Sequence, residues 1–544
     1  MKPSIGLKLP NRWTVGAVVI ALIVVLPILS VFWLAAHPTE NIWPHLLATT
    51  LPRYLANTGI LMAGVGVLTA AIGTGSAWLV VMYDFPGKRW LQWALLMPLA
   101  VPAYVGAYAL VDFLEYAGPV QTTMRGLFGW ENARSYWFPE IRSRTAAILV
   151  LSAALYPYVY ILARAAFREQ SSAGYDVARA LGVGPWGRFV RVGLPLARPA
   201  IAAGAIVAIM ETVNDFGTVD YFAVQTLTTG IFSTWFQTRN VGGAAQIATL
   251  ALVLIVICVL LERYSRRRSR FFQTARNTRP VVAHKLTGVW GAGVALACFL
   301  PFGFGFVLPV AVLLTHASDS HVWAEPGLLD AMWHTIFVGG AAAILTVLGA
   351  LFMVYGVRLS QSRVPRLLMP VTSIGYAAPG AVLGLGILIP MATLDNAVAD
   401  TVLAWTGYDP GLLITGTAGA LVLTYFVRFF AIAQGASDAA LGRVAPSLSM
   451  ASRSLGRGAG DTLREVHLPL IRGTIGSALL LVFVDCVKEL PATILLRGPF
   501  NYDTLATRVH EKASLENLTD AAPAALIICL VGLVAVALLA RANR

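Results

Sequence analysis

Long apolar runs separated by short polar segments dominate the chain. The first, Trp13 to Ala36, is an uncharged run of 24 residues behind Lys2, Lys8 and Arg12. At about 1.5 Å per helical residue it is long enough to cross a hydrocarbon layer of roughly 30 Å. Comparable runs recur near 56–82, 90–115, 143–168, 197–216, 243–262, 287–315, 330–357, 367–393, 411–434, 471–496 and 522–540. The pattern predicts an all-α membrane protein of about twelve transmembrane helices, with the Gly- and Pro-rich spans open to breaks. The first run is read as a span and not a cleaved leader, because it is too long and no clear small-residue cleavage site follows.

Composition agrees with this reading. With 57% hydrophobic and 12% charged residues among 544, and a mean hydropathy of +0.71, there is too little polar surface to clothe a soluble globule, so the chain must face lipid. A net charge of +13 could suggest nucleic acid, but the charges lie in short segments between apolar runs and form no basic face on a soluble domain. They read instead as a topology signal. Lys88 and Arg89, then Arg358, Arg363 and Arg366, and finally Arg541 and Arg544 mark alternate loops as cytoplasmic. The loop carrying Asp319, Glu325 and Asp330 has no Lys or Arg and is expected outside. An even number of spans then puts both termini in the cytoplasm. The densest basic block, 263–285, holds Arg266, Arg267, Arg268, Arg270, Arg276 and Arg279 without an acidic residue; it reads as a cytoplasmic linker between a first half, 1–262, and a second, 286–544.

A linker near the midpoint invites a search for repetition. Shifting the second half by 274 residues superposes Arg179, Leu181, Gly182, Gly184 and Val192 on Arg453, Leu455, Gly456, Gly458 and Val466. It also superposes Leu194, Pro195, Leu196, Arg198 and Ile201 on Leu468, Pro469, Leu470, Arg472 and Ile475, ten identities within positions 179–201. A weaker echo at an offset of 277 pairs Thr58 with Thr335 and Pro102 with Pro379. Because each half holds an even number of spans, the halves are expected to be parallel repeats related by a pseudo-twofold along the membrane normal.

The repeated segment is a loop longer than most connections in a helical bundle. Its first part, Tyr175 to Leu181 and Met450 to Leu455, reads as a short helix stopped by Gly182 or Gly456. A second short helix is expected up to Leu194-Pro195 or Leu468-Pro469, where the proline sets the entry into the next span. The small residues Ala178 and Ser452 are expected to let a partner approach closely.

These residues resemble the "EAA" coupling loop of binding-protein-dependent ABC importer permeases, E-A-A-x3-G-x9-I-x-L-P. Both copies keep the Gly-to-Pro spacing of 13; Asp176-Val177-Ala178 and Met450-Ala451-Ser452 stand where the family has Glu-Ala-Ala, so the acidic position survives as Asp176 and is absent at Met450. Asn214 to Phe222, Glu489 to Arg497 and Asp503-Thr504-Leu505-Ala506 further resemble the fused two-domain ferric-iron permeases. The resemblance implies two type I permease cores in a bacterial inner membrane. It also implies a pair of cytoplasmic ABC ATPase subunits docked on the two loops, and an outer substrate-binding protein that delivers iron.

The chain contains no G-x-x-x-x-G-K-[ST] phosphate loop, so hydrolysis is expected on a partner, and no cofactor is expected. Ionisable residues at membrane depth are costly and usually paired or functional. At the 274 offset Glu211 superposes on Asp485 and Asp215 on Glu489, matched carboxylates suited to lining a pathway or transiently holding a hard multivalent cation. Against this, Asp485 and Lys488, three apart on one helix face, can neutralise each other. His334 and His467 read as packing or surface residues, and the cysteines 258, 298, 486 and 529 as packing residues within apolar runs. The rivals are a permease of the same plan for thiamine, a polyamine, sulfate or a phosphonate, and, from another class, an ion-driven secondary transporter. A membrane enzyme is disfavoured, because no catalytic constellation of side chains is apparent.

Overall fold

The computed structural model describes residues 12–38, 40–267, 282–359, 364–373, 375, 378–497 and 502–542. Most of the basic linker, including Arg268, Arg270, Arg276 and Arg279, lies outside them, as do Arg363 and Arg544. Among the described residues eleven helices are long and apolar enough to cross a membrane. The expected span at 90–115 is instead a bent pair, Lys88–Ala100 and Ala103–Phe128, turned by 95°, which makes a twelfth crossing if counted as one. The bend has a local cause. Pro102 holds φ −58° and ψ 142° before the helix that starts at Ala103, because proline fixes its own φ and cannot donate back into a preceding turn. Its repeat partner Pro379 holds φ −55° and ψ 146°, so the span expected at 367–393 begins only at Gly380 and runs to Thr406.

A second recurring device is a π-helical turn before a Leu-Pro pair. In Phe189–Gly193, Gly303–Val307 and Leu463–His467 the amide of the following leucine donates five residues back, to Phe189, Gly303 and Leu463. In each case proline follows at 195, 309 or 469, and its missing N–H loosens the ladder at that turn. The expected short helix ahead of Leu194-Pro195 is therefore continuous with the span, which runs from Pro185 to Asn214.

The helices group into two compact units that cut across the sequence halves. One comprises residues 1–38 and 329–504, the other 39–328 and 505–544. The sequence halves expected from the repeat are 1–262 and 286–544, and contact grouping divides the chain along other lines. In the first unit the N-terminal helix Arg12–Ala36 lies against the Gly380–Thr406 helix so closely that a Cβ on Gly386 would sit 2.2 Å from the Pro27 carbonyl oxygen. In the second, the C-terminal helix Leu518–Ala542 meets the chain at Ala100, where a Cβ on Gly532 would lie 2.6 Å from the Ala100 carbonyl oxygen. Repetition reports ancestry of sequence, whereas packing follows which apolar faces meet, and the terminal helices find theirs in the other half. The second unit also holds a short parallel ladder in which strand β1, Tyr83–Asp84, pairs with strand β2, His284–Lys285, at the end of the linker.

Candidate functional site

Both copies of the repeated loop fold alike. The first helix, Ser172–Ala180, is capped by Ser171, whose hydroxyl accepts from the Ala173 amide; the second, Pro446–Ser454, starts on a proline. Each ends at the predicted glycine, with φ +75° at Gly182 and +80° at Gly456. The amides of Val183 and Gly182 donate to the carbonyls of Ala178 and Arg179, and those of Arg457 and Gly456 to Ser452 and Arg453. This is the paired 6→1 and 5→2 closure that a left-handed residue after a helix makes possible. A Cβ on either glycine would meet nothing within 4 Å, so glycine is required there by backbone conformation and not by a close neighbour.

The loops differ from expectation in which side they present. Ala178 and Ser452 are each 7% exposed and face inward, with Ser452 Oγ 2.9 Å from Thr462 Oγ1, so they do not offer a close approach to a partner. The surface instead carries Val177, Leu181 and Trp186 in the first loop and Met450 and Leu455 in the second, all 61–81% exposed. Asp176 and Ala451 are exposed, while Leu194, Pro195 and Leu468 are half-buried and Pro469 is exposed. Behind each loop stands an aromatic residue from the end of a long helix. Trp78, on Leu51–Met82, packs on Phe167, Tyr175 and Phe189. Its counterpart at the 277 offset, Tyr355 on Leu328–Leu359, donates to the Ala459 carbonyl at 2.7 Å.

The four candidate carboxylates fall into unlike environments. Asp215 ends the Leu194–Asn214 helix and caps the short Gly217–Tyr221 helix, accepting from the amides of Thr218 (3.1 Å) and Val219 (3.2 Å) and from the Thr218 hydroxyl (2.9 Å). It is half-buried and has no cationic partner among the described residues. Glu489 occupies the same place in the repeat, ahead of the Pro491–Leu496 helix, and accepts from the Ala492 amide at 3.1 Å. There the likeness ends. Glu489 is buried in an ion pair with Arg428, Nε to Oε2 3.0 Å, both groups under 10% exposed. Gly380 makes room for the pair, since a Cβ there would lie 2.3 Å from Glu489 Oε1 and 2.6 Å from Arg428 Nη1. Asp485 pairs with Lys488 at 3.3 Å, the neutralisation that the spacing allowed. Glu211 is half-buried. Among the described residues no three His, Cys, Asp or Glu side chains converge as metal ligands.

His334 and His467 have packing roles. His334 shares its Nδ1 with the Asp503 carbonyl at 2.9 Å and stacks on Tyr502, and His467 is buried with Nε2 3.0 Å from Ser449 Oγ. The residue that sequence reasoning passed over is Arg428. Its signal was available, an arginine within the apolar run 418–442, which costs too much at that depth without a buried acid beside it. Also unread was the cluster on the segment before the last span. Arg508 Nη2 lies 2.7 Å from Glu325 Oε2, Lys512 pairs with Glu325, and Lys512 approaches Asp520 at 3.4 Å.

Residues 63–271 match the family model described as "Binding-protein-dependent transport system inner membrane component". The chain is 25% identical to the Fe(3+)-transport system permease protein FbpB 2 of Haemophilus influenzae over 494 residues, 89% of each chain. It is 22% identical to the ferric transport system permease protein FbpB of Actinobacillus pleuropneumoniae, over 89% of this chain and 72% of that protein. The molybdenum transport system permease protein ModB of Escherichia coli is 26% identical over 200 residues, 36% of this chain and 84% of ModB.

Proposed function

We propose that this chain, an inner membrane component of a binding-protein-dependent transport system, moves ferric iron across the membrane as both permease halves of an ABC importer. The observation that carries the mechanical part is the duplicated loop: two helices, each closed by a left-handed glycine, each exposing apolar side chains. Such a pair suits two copies of one ATPase, and the chain itself has no phosphate loop. The cargo reading rests on the ferric relatives, which align along 89% of the chain, while the molybdenum relative aligns along 36% of it.

In this reading both termini and both loops lie on the cytoplasmic side, and a substrate-binding protein docks outside. ATP binding draws the two ATPase subunits together and pulls on the loops. Each loop runs through a π-helical turn into a helix that ends at a candidate carboxylate, Leu194–Asn214 at Asp215 and Leu468–Lys488 at Glu489. Displacement of a loop is thereby carried along one rigid element to the acidic end. Of the acidic positions, Glu211 and Asp215 are assigned to the pathway together with Asp485, and Asp215 is the carboxylate best suited to meet a passing cation, because it lacks a cationic partner. Glu489, spent on Arg428, serves the pathway by holding its helix end in place.

The test is uptake of radiolabelled ferric iron by proteoliposomes holding the chain with its genomic-neighbour ATPase and binding protein. Uptake that needs ATP and is unaffected by excess molybdate is expected. Uptake driven by an ion gradient without ATP would overturn the importer class, and ATP-dependent uptake of molybdate in place of iron would overturn the cargo.

A further inference from the structure

We infer that the first half carries a binding site for a small phosphate- or carboxylate-bearing anion in the cleft behind its coupling helix. A cavity of about 400 Å³ opens there, within the size range of ligand pockets. One wall is a single face of the Ser172–Ala180 helix, presenting Ser172, Asp176 and Arg179. Tyr83, at the end of the Leu51–Met82 helix, Arg188 and His284 of strand β2 complete it.

The balance of the lining favours an anion. Two guanidinium groups and an imidazole face one carboxylate, and neither Arg179 nor Arg188 forms an ion pair among the described residues. Arg188 lines the cavity with its Nε shielded from solvent, so it is the outer nitrogens of its guanidinium that an anion there meets. A planar guanidinium is suited to holding a carboxylate or phosphate by two bonds.

Among the described residues the site occurs once. At the corresponding positions of the second loop Thr462 replaces Arg188 and Met450 replaces Asp176, the Thr462 hydroxyl is satisfied by Ser452 and the Ala459 carbonyl by Tyr355. The linker strand that closes the first cleft has no second copy among the described residues. Because the cavity is shared by the coupling helix, the end of a span and the linker strand, a bound anion fixes those three elements together and restrains the coupling helix. That regulatory consequence rests on the coupling role proposed above, whereas the site itself does not.

Isothermal titration of the detergent-purified full chain with pyrophosphate and, separately, citrate tests the site without any transport step. At least one probe is expected to bind saturably at one site per chain. Binding should weaken about tenfold or more in Arg188→Gln and in the surface variant Arg179→Gln, and persist in Arg443→Gln. Thermal unfolding of each variant checks that it is folded, and Arg179→Gln carries the test if Arg188→Gln is not. Absence of saturable binding of both probes at millimolar concentration, or equal affinity in the arginine variants and the wild type, overturns the proposal.

Discussion

Trp78 covers Gly193 so closely that a Cβ at residue 193 would lie 2.5 Å from its Cζ3 atom. In the second half the counterparts are Tyr355 and His467, whose rings sit 5.5 Å apart at 66°. The bulk has moved from one partner to the other: a larger ring over glycine in one loop, a smaller ring beside histidine in the other. Gly193→Ala is therefore expected to overpack the first loop by about 1–3 kcal/mol, lowering both the unfolding temperature and ATPase co-purification. Trp78→Tyr in the same chain should recover most of the loss. If Gly193→Ala alone behaves as wild type in both measurements, the contact does not position the loop.

The two loop glycines should respond to conformation and not to size. At φ +75° and +80°, an alanine at Gly182 or Gly456 costs about 1–2 kcal/mol at the helix end, and asparagine, which tolerates the left-handed region, costs less. Pull-down of the ATPase should rank glycine above asparagine above alanine at each site. Equal retention by all three would show that the loop does not need its turn.

Arg428 and Glu489 should be separable by a mutant cycle. Removing one member of a buried pair strands the other and costs about 3–5 kcal/mol. Arg428→Met alone and Glu489→Gln alone should each unfold at clearly lower temperature, and the double variant should be nearer the wild type than either. A double variant showing the sum of the two losses would mean that the groups act independently.

Asp215→Asn separates capping from transport. Asparagine caps a helix about as well as aspartate, so the Gly217–Tyr221 turn should survive while the charge is lost. The expected outcome is unchanged thermal unfolding with ferric uptake reduced about tenfold or more; unchanged uptake would remove Asp215 from the pathway.

The ion cluster at Glu325 gives a pH dependence with a definite sign. Burial alone would raise the Glu325 pKa, but hydrogen bonding and charge from Lys512 and Arg508 outweigh it and hold the carboxyl below its usual range. The hydrogen bond to Glu325 raises Lys512. A lowered carboxylate stabilises the fold above its unfolded pKa, roughly 4.3, and loses that contribution as pH falls through the folded value. The raised Lys512 contributes below its unfolded pKa, roughly 10.4, and is lost only as pH rises beyond that. Amide protection in Leu505–Ser514, taken relative to the intrinsic exchange rate at each pH, should thus be flat through neutrality and fall in acid. Glu325→Gln should show low protection already at neutral pH and lose the acid dependence.

Much of this was legible along the chain. Most spans were legible from length and hydropathy, because a helix in lipid must satisfy its backbone polar groups within itself, whereas the breaks at Pro102 and Pro379 shifted two of them. The loop helices and their stops were fixed at Gly182 and Gly456, because a short helix closed by a left-handed residue is a local event. The short helices after the broken spans were half-legible, with Asp215 and Glu489 singled out as acids but not as caps.

Tertiary structure decided what depends on contacts between distant segments. Pairing Arg428 with Glu489 required a helix crossing that no spacing encodes. Turning Ala178 and Ser452 inward depended on which face of a nine-residue helix met the rest of its unit. Grouping the N-terminal helix with residues 329–504 depended on which apolar faces met. Local sterics and solvation set which segments are apolar enough to span, where the two loop helices stop and which stretches repeat. Which carboxylate is spent on an arginine and which has no cationic partner among the described residues was decided only in three dimensions, because a charge is neutralised by whatever folds beside it.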